Sequence, residues 1–233
     1  MTKVAVIQFP GSNCDLDVIH VLRNVLGVEA KLVWHREAGL QGFDAIILPG
    51  GFSYGDHLRA GIIAARSPVM KEVAKFAAAG NPVLGICNGF QILAEAQLLP
   101  GALLRNQGLR FTCRWVSCAV QTNRTPFTRP FELRSIMRMP VAHNEGRFYL
   151  GEEQYNELVQ KDQIVFKYVT EDGLETPKAN PNGSLHNIAG ICSAAGNVVG
   201  LMPHPERASE PILDPKRQAH GLLIFQSLIE SLA

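Results

Sequence analysis

The chain has 233 residues, 46% of them hydrophobic, and its 22 Lys and Arg against 21 Asp and Glu leave a formal charge of +1. That is enough apolar material for one large α/β domain over residues 1–233, and the balanced charge, without basic runs or basic–aromatic interleaving, argues against nucleic acid and acidic membranes as partners. Five scattered cysteines make no disulfide framework, no apolar run is long enough to span a bilayer, and the start enters a strand without a signal-peptide layout, so a cytoplasmic location is expected.

Val4-Ala5-Val6-Ile7 is a continuous β-branched run, as expected of a strand covered on both faces, and Phe9-Pro10-Gly11-Ser12-Asn13 follows as a turn. From Asp15, Leu16, Ile19, Leu22, Val25 and Leu26 recur at helical spacing, with Asn13 or Asp15 as cap and Gly27 as terminator. Ala30–Trp34 and Asp44–Leu48 are predicted strands. The second of these ends in Pro49-Gly50-Gly51-Phe52-Ser53-Tyr54-Gly55-Asp56, a glycine-rich loop where α/β folds place ligand sites. It lacks both the phosphate cradle G-x-x-x-x-G-K-[ST] and the dinucleotide spacing G-x-G-x-x-G, so no nucleotide site is expected there. Helical segments are predicted near 58–66 and 68–79, with Pro68 in a first turn and Gly80 as a stop.

Pro82–Ala96 is the stretch around which the chain is organised. An apolar strand runs into a helix, and Gly85-x-Cys87-x-Gly89 has the layout of a nucleophile elbow, whose flanking glycines allow a sharp bend. Cys87 is then a candidate nucleophile, with the Asn88 amide placed as one oxyanion donor and the helix start favouring thiolate. The alternative is a small buried cysteine at a strand end. Gly51 offers the second oxyanion donor, unless its loop is an ordinary Pro-Gly-Gly turn. The alternation of strands and helices predicts a doubly wound, mainly parallel sheet with helices on both faces.

Beyond Gly101 the texture changes. Segments 109–116, 139–143, 164–169 and 187–191 read as strands joined by turns, so a more antiparallel section is expected in the second half. Cys113 and Cys118 are a close pair without a second pair at zinc-ligand spacing, and no metal site is expected.

In Met202-Pro203-His204-Pro205-Glu206-Arg207, Pro205 biases His204 towards extended geometry, where residues two apart share a side, so Glu206 can reach the imidazole. A carboxylate on one ring nitrogen leaves the other free to exchange a proton with Cys87, which makes Cys87, His204 and Glu206 a candidate triad. Gln91, one helical turn beyond Cys87, is a candidate substrate contact or a structural residue, with Glu145 and Gly146 as further substrate-binding candidates.

These residues resemble the class I, triad-type glutamine amidotransferases, with their Pro-Gly-Gly loop, Gly-x-Cys-x-Gly-x-Gln elbow and late His-Pro-Glu. More narrowly, Phe9–Asp15, Gly50–Asp56, Leu58–Gly61, Cys87–Gln91, Glu145–Phe148, Asn180–Ser184 and Met202–Arg207 are similar to the glutaminase subunits of phosphoribosylformylglycinamidine synthase. The resemblance implies glutamine hydrolysis at Cys87 through a thioester, and delivery of ammonia to a partner synthetase that makes formylglycinamidine ribonucleotide in purine biosynthesis. It also implies a small accessory subunit, with ATP and Mg on the synthetase and no cofactor in this chain. A competing class is a stand-alone cysteine hydrolase of γ-glutamyl or peptide bonds, which would turn over without a partner.

Overall fold

The computed structural model describes residues 2–37 and 39–233, so Met1, the first residue of the predicted start, lies outside the described residues. Among the described residues, nine strands form one continuous sheet in the order β2-β1-β3-β4-β11-β10-β9-β6-β7. Its parallel half comprises β1 (Lys3–Gln8), β2 (Glu29–Trp34), β3 (Ala45–Leu48), β4 (Val83–Ile86) and β11 (Val198–Leu201). β3, β4 and β11 are buried at every position, the expected state of strands covered on both faces.

The connection from β1 through α1 (Asp15–His20) steps one way along the sheet, and that from β3 through α2 (Pro68–Ala78) steps the other. Right-handed crossovers then place the two helices on opposite faces. The antiparallel section expected in the second half continues the same sheet. It consists of β10 (Ile188–Cys192), β9 (Ile164–Val169), β6 (Thr112–Val120) and β7 (Ile136–His143).

Several local expectations change. Residues 58–66 hold only turns and a 3-10 segment at Ala64–Arg66; Leu58 sits at φ 69°, a left-handed conformation that no helix continues through. Neither Asn13 nor Asp15 caps α1, because Asp15 instead accepts a hydrogen bond from Gln8 Nε2 at 2.6 Å. Helix α4 (Glu152–Gln160) and the C-terminal α5 (Leu222–Ser231) were not foreseen, nor were the short paired strands β5 (Ala102–Leu104) and β8 (Arg147–Tyr149).

Helix α3 (Asn88–Glu95) is buried at all positions but its last. A Cβ on Gly200 would meet the Phe90 ring at 2.2 Å and one on Gly89 would meet Leu48 O at 2.0 Å. The glycines therefore let α3 lie directly on the sheet, and full burial of Phe90 there contributes about 1.5–3 kcal/mol. Because β1, β3, β4 and β11 run the same way, the loops that follow them converge at one end of the sheet, where such folds bind ligands.

Candidate active site

Cys87 occupies the junction between β4 and α3, with φ 50° and ψ −102°. Such a backbone costs a non-glycine residue on the order of 1–3 kcal/mol, and is kept where the surroundings over-determine it. Here Cys87 N–H donates to Leu201 O at 2.8 Å, and Cys87 O accepts from Gln91 N at 3.1 Å. The bend thus resides in the cysteine itself. Gly85 and Gly89 serve close packing instead: a Cβ on Gly85 would lie 2.7 Å from Gly89, and neither glycine needs a left-handed φ.

His204 and Glu206 follow β11 and are 2% exposed. Nδ1 and Oε1 are 2.6 Å apart. His204 is extended, as the following proline favours, but Glu206 sits in a 3-10 turn, Pro205–Ala208. It is this turn, and not strand alternation, that brings the carboxylate to the ring. Burial opposes charge on His204, yet the neighbouring Glu206 carboxylate and the Cys87 sulfur outweigh it and hold the imidazole well above its ordinary range. Nε2 has no hydrogen-bond partner among the described residues, whereas Cys87 Sγ lies 3.8 Å from Ala142 O. Strand β7 thereby reaches the site from the far edge of the sheet, and Pro140 O also accepts His204 N–H at 2.8 Å.

The loop after β3 closes one wall. Phe52 N–H donates to Gly11 O and Asn13 N–H to Gly50 O, which pairs Ser12 with Gly51 across an isolated bridge. Those bonds leave the Gly51 N–H outside the ladder. Gly51 has φ 152°, and a Cβ there would meet Gly11 O and Ser12 Cα at 2.8 Å, so only glycine fits. Asn88, whose backbone N–H opens α3 and is orphaned by position, uses its side chain internally: Oδ1 accepts Ser53 N–H and Nδ2 donates to Gln91 Oε1 at 2.8 Å.

Both ends of the Gln91 amide are therefore engaged, since Nε2 donates to Glu145 O at 2.5 Å. The Glu145 carboxylate accepts Ala60 N–H at 3.2 Å and faces Arg105 Nε at 3.6 Å. Beside it, burial and then the Glu145 charge push Asp56 up to about 6. Gly146 is enclosed: its N–H donates to Asn106 Oδ1, its carbonyl accepts from Asn182 Nδ2 and Ser184 Oγ, and its Cα lies against the His143 ring.

Sequence reasoning missed Asn106, Asn182 and Ser184, the polar side chains that hold Gly146 in place. Asn106 also donates through Nδ2 to His143 O and accepts at Oδ1 from His143 Nδ1–H, tying its loop to the end of β7. Burial, then the charge on His204, push His143 down to about 4. The clustering was invisible in the chain order, because Asn106, His143 and Asn182 lie far apart in sequence and carry no spacing motif. Cys14 was missed for the same reason. Its sulfur, His204 and Glu206 have ligand atoms within 4.8 Å of one another.

A thiol at a strained strand–helix junction, beside a buried His–carboxylate pair and two glycine or helix-start amides, is built for acyl transfer through a thioester. Residues 1–230 match the family model of the CobB/CobQ-like glutamine amidotransferase domain, the class that such a site defines. The chain is 56% identical to the phosphoribosylformylglycinamidine synthase subunit PurQ of Methanosarcina acetivorans, over 98% of this chain and 97% of that protein. It is 51% identical to the subunit of the same name from Thermosynechococcus vestitus, over 97% and 95%. A chain in the structure of PurLQS from Thermotoga maritima superposes with a TM-score of 0.87 at 42% identity, covering 100% and 99%. A glutamine amidotransferase from Thermotoga maritima, 18% identical with a TM-score of 0.59 over 99% and 97%, shares the fold alone. The chain belongs to the PurQ family of phosphoribosylformylglycinamidine synthase subunits.

Proposed function

We propose that this chain is the glutaminase subunit of phosphoribosylformylglycinamidine synthase, and that Cys87, His204 and Glu206 carry the hydrolysis. It releases ammonia from glutamine and supplies it to a synthetase subunit that makes formylglycinamidine ribonucleotide, in purine biosynthesis. Full-length identity above 50% to PurQ subunits supports the activity, the pathway and the partnership. The observation that carries the site assignment is the buried 2.6 Å His204–Glu206 contact beside the strained elbow cysteine.

In this reading His204 takes the Cys87 proton through Nε2, and Glu206 stabilises the imidazolium from Nδ1. The thiolate attacks the side-chain amide carbon of glutamine, and the Gly51 and Asn88 N–H groups receive the oxyanion. The imidazolium returns the proton to the departing ammonia, and water then hydrolyses the glutamyl thioester with His204 again as base. Of the three further substrate-binding candidates, Glu145 is the one that brings a charged group, its carboxylate facing Ala60 N–H and Arg105. Gln91 and Gly146, whose polar groups are already bonded within the protein, support the site more than they bind substrate.

The chain acts as one amidotransferase domain without a cofactor of its own, ATP and Mg belong to the synthetase, a small accessory subunit completes the assembly, and the complex is cytoplasmic. No described helix is long and apolar enough to cross a membrane. Steady-state glutamate release by the purified chain, alone and then with synthetase, accessory subunit, nucleotide and acceptor, tests this function. Activation by orders of magnitude is expected, since one oxyanion donor is worth about 100- to 1,000-fold and the glycine loop allows more than one peptide orientation. Equal rates in both conditions would favour the stand-alone hydrolase.

A further inference from the structure

Cys14 lies outside the triad yet touches it. Its sulfur, a ring nitrogen of His204 and a carboxylate oxygen of Glu206 all fall within 4.8 Å, and all three residues are buried. Sγ and His204 Nδ1 flank one point above Gly50, at 3.1 and 3.3 Å. The backbone fixes the thiol there: Cys14 N–H donates to Gly50 O at 3.2 Å, and Cys14 O accepts from Val18 N at 3.1 Å at the start of α1.

Glu206 gives Oε1 to His204, while Oε2 is buried with no hydrogen-bond partner among the described residues. A buried carboxylate oxygen without a donor is costly, and a carboxylate held at one oxygen can still swing about that bond. These three side chains form a set that could ligate a cation, but Nδ1 and Oε1 are already bonded to each other, so proton sharing accounts for their contact. Burial pushes the Cys14 thiol up, so it keeps its proton and has one to donate.

We propose that Cys14 is a positioning residue for the His204–Glu206 pair: its thiol lies within 4.8 Å of the carboxylate without being bonded to it in this structure, and donates its S–H to the open second oxygen when Glu206 swings about its Oε1 contact, so holding the carboxylate against Nδ1. The inference rests on the triad assignment above. It gives the cysteine a role that oxygen can fill and carbon cannot. Glutamine binding does not pass through this contact, so the effect belongs in turnover and not in KM.

The test uses the assembled enzyme with Cys14→Ser, Cys14→Ala and Cys14→Val, each checked for folding by circular dichroism and for ammonia-dependent synthesis. Losing a hydrogen bond to a buried charge, discounted for a weak thiol donor, corresponds to about tenfold in rate. Cys14→Ala and Cys14→Val are expected to lower glutamine-dependent kcat about tenfold with KM for glutamine within twofold, and Cys14→Ser to keep at least half the activity. Val guards against the cavity that Ala leaves, and Ser tests the donor itself. Wild-type kcat in Ala or Val, a Ser variant as slow as Ala, or a change confined to KM would each overturn the role. Cys87→Ala run alongside separates the two levels: residual glutamine turnover there removes the triad assignment, whereas a dead Cys87→Ala with unimpaired Cys14→Ala removes only the role of Cys14.

Discussion

Gly50→Ala probes the working position of His204. A Cβ at residue 50 would stand 2.7 Å from His204 Cε1, 3.1 Å from Cys14 Sγ and 3.3 Å from His204 Nδ1. Carbon atoms rest at about 3.5 Å or more, so the ring or the loop must give by roughly 0.8 Å. The ring has little room, being buried and bonded to Glu206 at 2.6 Å, with its backbone N–H held by Pro140 O. A misplacement near 1 Å in a reacting group costs on the order of 100-fold, and overpacking of this kind destabilises by about 1–3 kcal/mol. The expected result is a glutamine-dependent kcat lowered about 100-fold, a melting temperature lowered by a few degrees and ammonia-dependent synthesis unchanged. Gly108→Ala, where an added Cβ meets nothing within 4 Å, serves as the neutral control. A folded Gly50→Ala enzyme with kcat within twofold of wild type would show that the observed ring position is not the one used in catalysis.

Glu206→Gln is expected to cost less than His204→Ala. Gln can present its oxygen to Nδ1–H and place its amide nitrogen at the partnerless Oε2 position, keeping the tautomer and losing only the charge, for about 10- to 100-fold in kcat. An equal or larger loss in folded protein would assign Glu206 a different role. A second expectation concerns pH and His143, whose folded-state pKa of about 4 lies below the ordinary value near 6.5. The unfolded chain then binds more protons between those values, so stability present above about 6.5 is lost as pH falls towards 4, by about 3 kcal/mol. Urea midpoints of wild type and His143→Gln at pH 7 and pH 4 measure this: the variant should show a shallower fall, and identical slopes would contradict the burial argument.

Much of the chemistry was legible because it lies in local patterns. The β-branched runs of β1, β3 and β4, the Gly-x-Cys-x-Gly elbow and the His-Pro-Glu segment are each read within a few residues, and their convergence follows from parallel strands ending on one side. Reasons were less legible than positions. Gly85 and Gly89 suggested a flexible bend, but they are needed because α3 lies against the sheet, which only tertiary contact reveals. Helix α4 was hidden by its polar composition, with Leu158 its one buried position. The hydrogen bonds joining Asn106, His143 and Asn182, like the contact of Cys14 with the triad, arise between loops distant in sequence, and no periodicity marks them.

The most direct test of the central claim is Cys87→Ala in the assembled synthase, with product formation measured first from glutamine and then from ammonium at saturating nucleotide and acceptor. The nucleophile serves only the hydrolytic half, so synthesis from glutamine should vanish while synthesis from ammonium stays at the wild-type rate. Glutamine-dependent synthesis that survives the substitution would contradict Cys87 as the nucleophile, and with it the catalytic site assigned to this chain.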